Sequence, residues 1–193
     1  MIWNHPPVPS LLPAAIETER LRLRPLTMAD AEALNAIQSD PHHMRFYPHP
    51  FSMQESREWI ERMHERCERD GYALLGVEDR ETGEFLGNVG PIVQHVDGVD
   101  EVELGWSVTP RRARQGIATE AAMACRDWVF ATLDVGHVIS LIRPENAPSR
   151  GVAERLGMTV WKDVTWGTEM PMRHHVYRLD RPDPGGEGSS ARG

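Results

Sequence analysis

The chain has 193 residues, with 21 Lys and Arg against 29 Asp and Glu, giving a formal charge of −8. That length suits one domain with a full apolar core, and two cysteines, Cys67 and Cys125, exclude a disulfide framework or a Cys-rich zinc module. The acidic balance excludes a broad nucleic-acid surface, and no apolar run reaches the ~20 residues that cross a bilayer.

The first residues, with Pro6, Pro7, Pro9 and Pro13, show no period and lack the basic and apolar regions of a signal peptide. An extended arm is expected over 1–16, a folded domain over 17–180, and a disordered Pro/Gly/Ser-rich tail over 181–193. A soluble, cytoplasmic protein follows as the expectation. The alternation in Arg20-Leu-Arg-Leu-Arg24 predicts a half-buried strand. Thr27-Met-Ala-Asp30 has capping-box spacing and predicts a helix carrying Ala31, Leu34 and Ile37. Ser52-Met-Gln-Glu55 is a cleaner box, opening a helix with Trp59, Ile60, Met63 and Cys67 on its apolar stripe.

Strands are predicted over 72–78, 85–93 and 101–108, joined by turns at Asp79-Arg-Glu-Thr-Gly83 and at His95-Val-Asp-Gly-Val-Asp100. Ile117, Ala118, Ala121, Ala122, Cys125, Trp128 and Val129 give a strong helical stripe over 116–132. A β-branched run at 137–142 reads as a buried strand. A short helix is expected over 148–156, with Gly157 past its end, and strands over 158–165 and 173–179. A meander followed by βαβ-like units implies an α/β fold: a mixed sheet with helices on both faces.

Chemistry concentrates where the third meander strand, Glu101-Val-Glu-Leu-Gly-Trp-Ser-Val108, runs through Arg111, Arg112 and Arg114 into Gly116 and a small-residue helix. The first N–H groups of a helix lack intrahelical partners and sit at the positive end of its dipole, so such a terminus accepts an anion, most commonly a phosphate. The chain has neither a G-x-G-x-x-G nor a G-x-x-x-x-G-K-[ST] motif, which argues against a Rossmann or P-loop nucleotide site.

Arg114-Gln-Gly-Ile-Ala-Thr-Glu-Ala121 after a strand containing Glu-Leu-Gly-Trp resembles the acetyl-CoA motif of the GNAT acetyltransferases. Arg143-Pro-Glu-Asn-Ala-Pro-Ser149, followed by Leu156-Gly-Met158, resembles their second cofactor segment. Thr18-Glu-Arg-Leu-Arg-Leu-Arg-Pro-Leu26 with Asp30-Ala-Glu-Ala-Leu34 is similar to the opening of the RimJ/RimL-like branch. The resemblance implies a mostly antiparallel sheet whose two central strands splay into a slot for the pantetheine arm. It assigns the main chain of Trp106, Ser107 and Val108 to the pantetheine and the N–H groups of Arg114, Gln115, Gly116, Ile117, Ala118 and Thr119 to the pyrophosphate. Asn146 and Ser149 would face the cofactor from the other wall. Two positions depart from the pattern: its first place falls on Ala113, and Arg114 stands where relatives commonly have Gly. Backbone donation survives both changes, but the usual side-chain contact is lost unless Arg112 or Arg114 supplies it.

The implied activity is direct acetyl transfer from acetyl-CoA to a primary amine, a protein N-terminus or a small molecule, without a metal. An ammonium must first lose its proton. Glu103 matches the family's frequent base position, with Glu101, on the same strand face, as second choice and substrate contact. The Val108 N–H would hold the oxyanion. No Tyr stands at the usual acid position, which leaves Ser149. Phe46, Tyr47 and Trp59, with His42, His43 and His49, fall where the acceptor pocket is expected, opposite Trp166, His174 and His175. No spacing among the histidines is that of a known metal site. Members of this branch often pair as homodimers, which the sequence leaves open. The altered Ala113-Arg114 pair and the missing Tyr also allow an acyl-CoA-binding module without catalysis.

Overall fold

The computed structural model describes residues 10–167 and 171–183, so most of the expected N-terminal arm and C-terminal tail lies outside the described residues. Among the described residues, eight strands form one sheet in the order β1-β2-β3-β4-β5-β6-β8-β7. They are β1 (Ile16–Glu17), β2 (Leu21–Pro25), β3 (Leu75–Asp79), β4 (Phe85–Val96), β5 (Val99–Val108), β6 (His137–Ile142), β7 (Thr159–Trp166) and β8 (Met172–Asp180). Every neighbouring pair is antiparallel except β5–β6, which is parallel. The described residues also form four α-helices, α1 (Ala31–Gln38), α2 (Met53–Asp70), α3 (Ile117–Thr132) and α4 (Ala147–Arg155).

Side chains of a strand alternate between faces, and that parity sorts the sheet into two environments. Leu21, Leu23, Val77, Val89, Val102, Leu104, Val138 and Ile142 pack with α3 and α4 on one face. Leu74 and Ile92 pack with Leu34 of α1 and with Ile60 and Met63 of α2 on the other. Glu101, Glu103 and Ser107 share the parity opposite Val102 and Leu104, so they belong to the α1/α2 face.

The α2 box is complete: Ser52 Oγ accepts from Glu55 N, and the Glu55 carboxylate accepts from Ser52 N at 2.7 Å. Gly71, at φ 83°, ends that helix in the left-handed conformation favoured by glycine. The Thr27 box also forms, but it opens a single 3₁₀ turn at Met28–Asp30 before α1 begins. Asp30 is drawn there by Arg24, which donates to both its oxygens at 2.7 and 2.8 Å and to Glu78 at 2.6 Å. This pairing ties β2, β3 and the start of α1 together. Burial pushes the Asp30 carboxyl up, but Arg24 and the Thr27 N–H outweigh it and hold the group below its ordinary range.

Two expected boundaries are corrected. The first meander strand begins at Leu75, not 72, because the backbone at Ala73 and Leu74 crosses close over Gly90, where a Cβ would meet it at 3.0 Å. The expected six-residue turn at 95–100 shrinks to Asp97-Gly98. Both residues take positive φ, 50° and 84°, so the two-residue loop matches the strand twist and pairing continues to Val96↔Val99.

β5 and β6 share one bridge, Glu103↔Ile139. Beyond it they part.

Candidate active site

A cavity of about 1200 Å³ runs from the N-terminus of α3, through the gap between β5 and β6, to the segment joining α1 and α2. Trp106, Ser107, Val108, Arg114, Gly116, Ile117, Ala118, Thr119, Asn146 and Ser149 all border it. Gln115 does not: the loop turns its carbonyl toward Arg20 Nη1, at 3.0 Å, and its side chain toward Arg112 Nε, also at 3.0 Å.

The α3 end of the cavity is built for an anion. Gly116 sits at the N-cap with φ 80°, and no side chain caps the helix, so its first N–H groups stay open. Arg114 precedes it in the same left-handed region, at φ 61°. Arg112 is committed elsewhere, to Asp79 at 2.9 Å and Glu84 at 2.7 Å, and Arg111 does not border the cavity, which leaves Arg114 as the available guanidinium of the loop at this end. At α4 the opposite holds: Asn146 Oδ1 accepts from Ser149 N at 3.2 Å and so caps that helix, while Ser149 itself borders the cavity.

Along β5, backbone groups point alternately to its two neighbours. The Thr109 N–H reaches Leu86 O on the β4 side at 2.7 Å, whereas Leu104 O accepts from Ser140 Oγ, on β6, at 2.7 Å. Trp106 and Val108 share the parity of Leu104, so their N–H and C=O groups face the gap toward β6. The divergence of the strands deprives these groups of a ladder partner. An extended amide-bearing chain can take that place. The open helix end, the arginine and the slot together fit the pyrophosphate and pantetheine of a coenzyme A thioester.

Glu103 lies where the gap closes, on the α1/α2 face. It is 8% exposed, accepts from Leu141 N at 3.1 Å and from Gln94 Nε2 at 3.0 Å, and has no cation within ion-pair distance among the described residues. Burial dominates over these two hydrogen bonds and the more distant Arg66, and lifts its carboxyl to about 7. Glu101, two residues away, leaves the cavity lining and pairs with His137 Nε2 at 2.8 Å.

The α1/α2 end is aromatic. Phe46, Tyr47 and Trp59 border it, with Trp166 and His174 across the cavity. His42 and His43 join this lining, whereas His49 stacks near Phe51 and His175 pairs with Asp163. His43 Nε2 meets Ser107 Oγ at 2.8 Å, a link that pins the α1–α2 segment over β5. Burial draws the His43 imidazole below its ordinary value and keeps it neutral at pH 7. Gln94, Asn88 and Arg143 also border the cavity; Gln94 and Asn88 carried no motif in the sequence, and Arg143 opened one read for Asn146 and Ser149. Gln94 could be found only from the β4–β5 register, and Arg143 only from the parity of β6. Among the described residues no group of His, Cys, Asp and Glu is placed to hold a metal ion.

Residues 20–159 match the family model described as an acetyltransferase (GNAT) domain. A Bacillus subtilis protein named YkkB, itself uncharacterized, is 35% identical over 149 residues, which cover 76% of this chain and 86% of the relative. The crystal structure of an acetyltransferase from Agrobacterium tumefaciens is similar at 31% identity and a TM-score of 0.75, over 88% of this chain and 95% of that one. A ribosomal-protein-S5-alanine acetyltransferase from Vibrio fischeri shares the fold at 16% identity and a TM-score of 0.71, over 89% and 98% of the two chains.

Proposed function

The chain belongs to the GNAT acetyltransferase family, and from that premise we propose that it carries acetyl from acetyl-CoA directly to a primary amine, with Glu103 as the base. The observation that carries this reading is Glu103 itself. It is a buried carboxyl lifted to about 7, without a paired cation, at the closed end of a slot whose far end is an uncapped helix N-terminus. A base poised near the working pH is the most effective acceptor of an ammonium proton.

Arg114 and the N–H groups of Gly116, Ile117, Ala118 and Thr119 would hold the pyrophosphate, and the gap-facing main chain of Trp106 and Val108 the pantetheine amides. Acetyl-CoA, when bound, supplies a thioester whose C–S bond breaks as the new C–N bond forms, leaving a thiolate that needs a proton. Glu103 takes the ammonium proton through a water, and Leu141 N–H and Gln94 Nε2 keep its carboxylate aimed. A gap-facing N–H of β5, fixed in the strand before reaction, serves as the oxyanion donor. Ser149, which borders the cavity with its N–H tied to Asn146, is the candidate acid toward the thiolate. Phe46, Tyr47 and Trp59 wall the acceptor.

The test is thiol release from acetyl-CoA across a panel of primary amines, with mass spectrometry of the products. Amine-dependent release that falls at least 100-fold in Glu103→Gln, with acetyl-CoA affinity unchanged, is expected. Full activity of that variant would refute the assignment. Binding of acetyl-CoA with no amine acetylated would leave a binding module in place of an enzyme.

A further inference from the structure

The whole chain is acidic, yet the cavity is not. Among the described residues its charged lining is Arg45, Arg112, Arg114, Arg143 and Arg155 against one carboxylate, Glu103. Arg112 is neutralised by Asp79 and Glu84. Arg114 and Arg155 lie with the cofactor elements, one in the loop before α3 and the other on α4, and Arg45 is exposed, donates to the His42 carbonyl and lies over the Phe46 ring. Arg143 is different.

It follows β6, where His137, Ile139 and Leu141 share its parity. Ile139 and Leu141 pack with Val96 and Trp166 on the sheet face opposite α3 and α4. Arg143 therefore stands on the acceptor side, two residues past the Leu141 N–H that Glu103 accepts, a separation of about 7 Å along a strand. Its side chain is 16% exposed, and Nε is buried with no hydrogen-bond partner. Its polar neighbours are Phe46 O, 3.5 Å from Nη1, and Glu145, 3.6 Å from Nε and itself on the surface. The charge of Arg143 also helps lower the His174 imidazole, after burial, so that the neighbouring ring adds no second cation. A guanidinium has five donors in a fixed fork suited to an oxyanion, and these contacts leave most of the fork unused. Two more orphaned polar groups border the same cavity, Trp59 Nε1 and both side-chain atoms of Asn88, a residue 1% exposed. Burying such groups without partners is costly, and a polar ligand would satisfy them.

We propose that the acceptor is an amine that also carries an oxyanion, a carboxylate or a phosphate, and that Arg143 binds that group while Glu103 faces the amine. The inference rests on the acetyltransferase reading and narrows its substrate class. The acidic net charge of the chain does not extend to this end of the cavity: a polyamine would place its second ammonium beside an arginine.

The experiment measures kcat and KM of the full chain for matched acceptors: amino acids against their carboxamides, ω-aminoalkyl phosphates against the corresponding alcohols, and diamines. The anionic member of a pair is expected to be favoured about 10- to 100-fold in kcat/KM, the range of a hydrogen bond to a charged group. Arg143→Gln should erase that preference by raising KM for the anionic amine. It should leave the neutral amine and the acetyl-CoA dissociation constant unchanged, and Arg143→Lys should restore part of the preference. The carboxylate and phosphate arms tell which oxyanion is the natural one. Equal use of both members, a preference for diamines, turnover of no anionic amine, or weakened acetyl-CoA binding in Arg143→Gln each overturns the proposal. Turnover of neutral amines alone would leave the acetyltransferase reading standing. Loss of acetyl-CoA binding by the unmodified chain would remove both.

Discussion

Replacing Glu103 by Gln should make the protein more stable at neutral and alkaline pH while disabling it. An ordinary glutamate loses its proton near 4.5, and burial holds Glu103 protonated to about 7 in the folded chain. Between those values the native state binds more protons than the unfolded state, so stability falls as pH rises through the window and then levels off. A gap of roughly 2.5 pH units at 1.36 kcal/mol each corresponds to about 3 kcal/mol. Gln is nearly isosteric. Its Oε1 can still accept from Leu141 N, and rotation of the Gln94 amide lets that pair keep its bond. The difference in unfolding free energy between Glu103→Gln and the unmodified chain should therefore grow by about 3 kcal/mol from pH 4 to pH 8. For a domain of this size that is roughly 6–12 °C in Tm at the alkaline end. Denaturant unfolding of both proteins across that range measures it, and all other titrations cancel in the difference. In parallel, kcat/KM of the unmodified enzyme should rise with pH through about 7. A pH-independent stability difference would refute the reasoning about Glu103, and so would a variant that keeps the full rate.

Arg24→Ala should cost about 3–5 kcal/mol in denaturant unfolding, because it strands the buried Asp30 carboxylate, while acetyl-CoA affinity stays unchanged. Gly116→Ala forces a Cβ into a backbone at φ 80°. It should cost about 1–2 kcal/mol of stability and weaken acetyl-CoA binding, both read from a calorimetric titration and a melting curve. Cys125 is fully buried, and burial pushes its thiol up to about 12, whereas Cys67 is half-buried. A thiol reagent at pH 8 should therefore label Cys67 in the native chain and both cysteines only after unfolding.

Much of the fold was legible because its signals are local. Ser52 with Glu55 marked the start of α2, the β-branched run marked β6, and the Ile117–Val129 stripe marked α3. Position 95–100 misled because a two-residue Asp-Gly turn takes less chain than the polar stretch around it suggests. The cofactor end of the site was also largely readable, since backbone N–H groups at a glycine-led helix start need no particular side chain. Gln115 fell outside the cavity because two arginines, Arg20 and Arg112, hold it from behind. The acceptor end was less accessible. Whether Glu101 or Glu103 enters the cavity depends on what covers each one, and His137 reaches Glu101 from a strand 36 residues away. The partners of Glu103 come from β4 and β6, so only the sheet register reveals them. Arg143 sits inside a motif read for its Asn and Ser, and its side chain acquires meaning from the β6 parity alone.

The most direct test of the account is a thermal-unfolding scan of the chain with acetyl-CoA, with ATP and with NAD. At about 100 times its Kd a ligand of the native state adds ~2.7 kcal/mol, roughly 5–11 °C for this chain length. Stabilisation by acetyl-CoA without a matching response to the two nucleotides is the predicted result. An unchanged Tm with acetyl-CoA, or an equal rise with ATP, would contradict it.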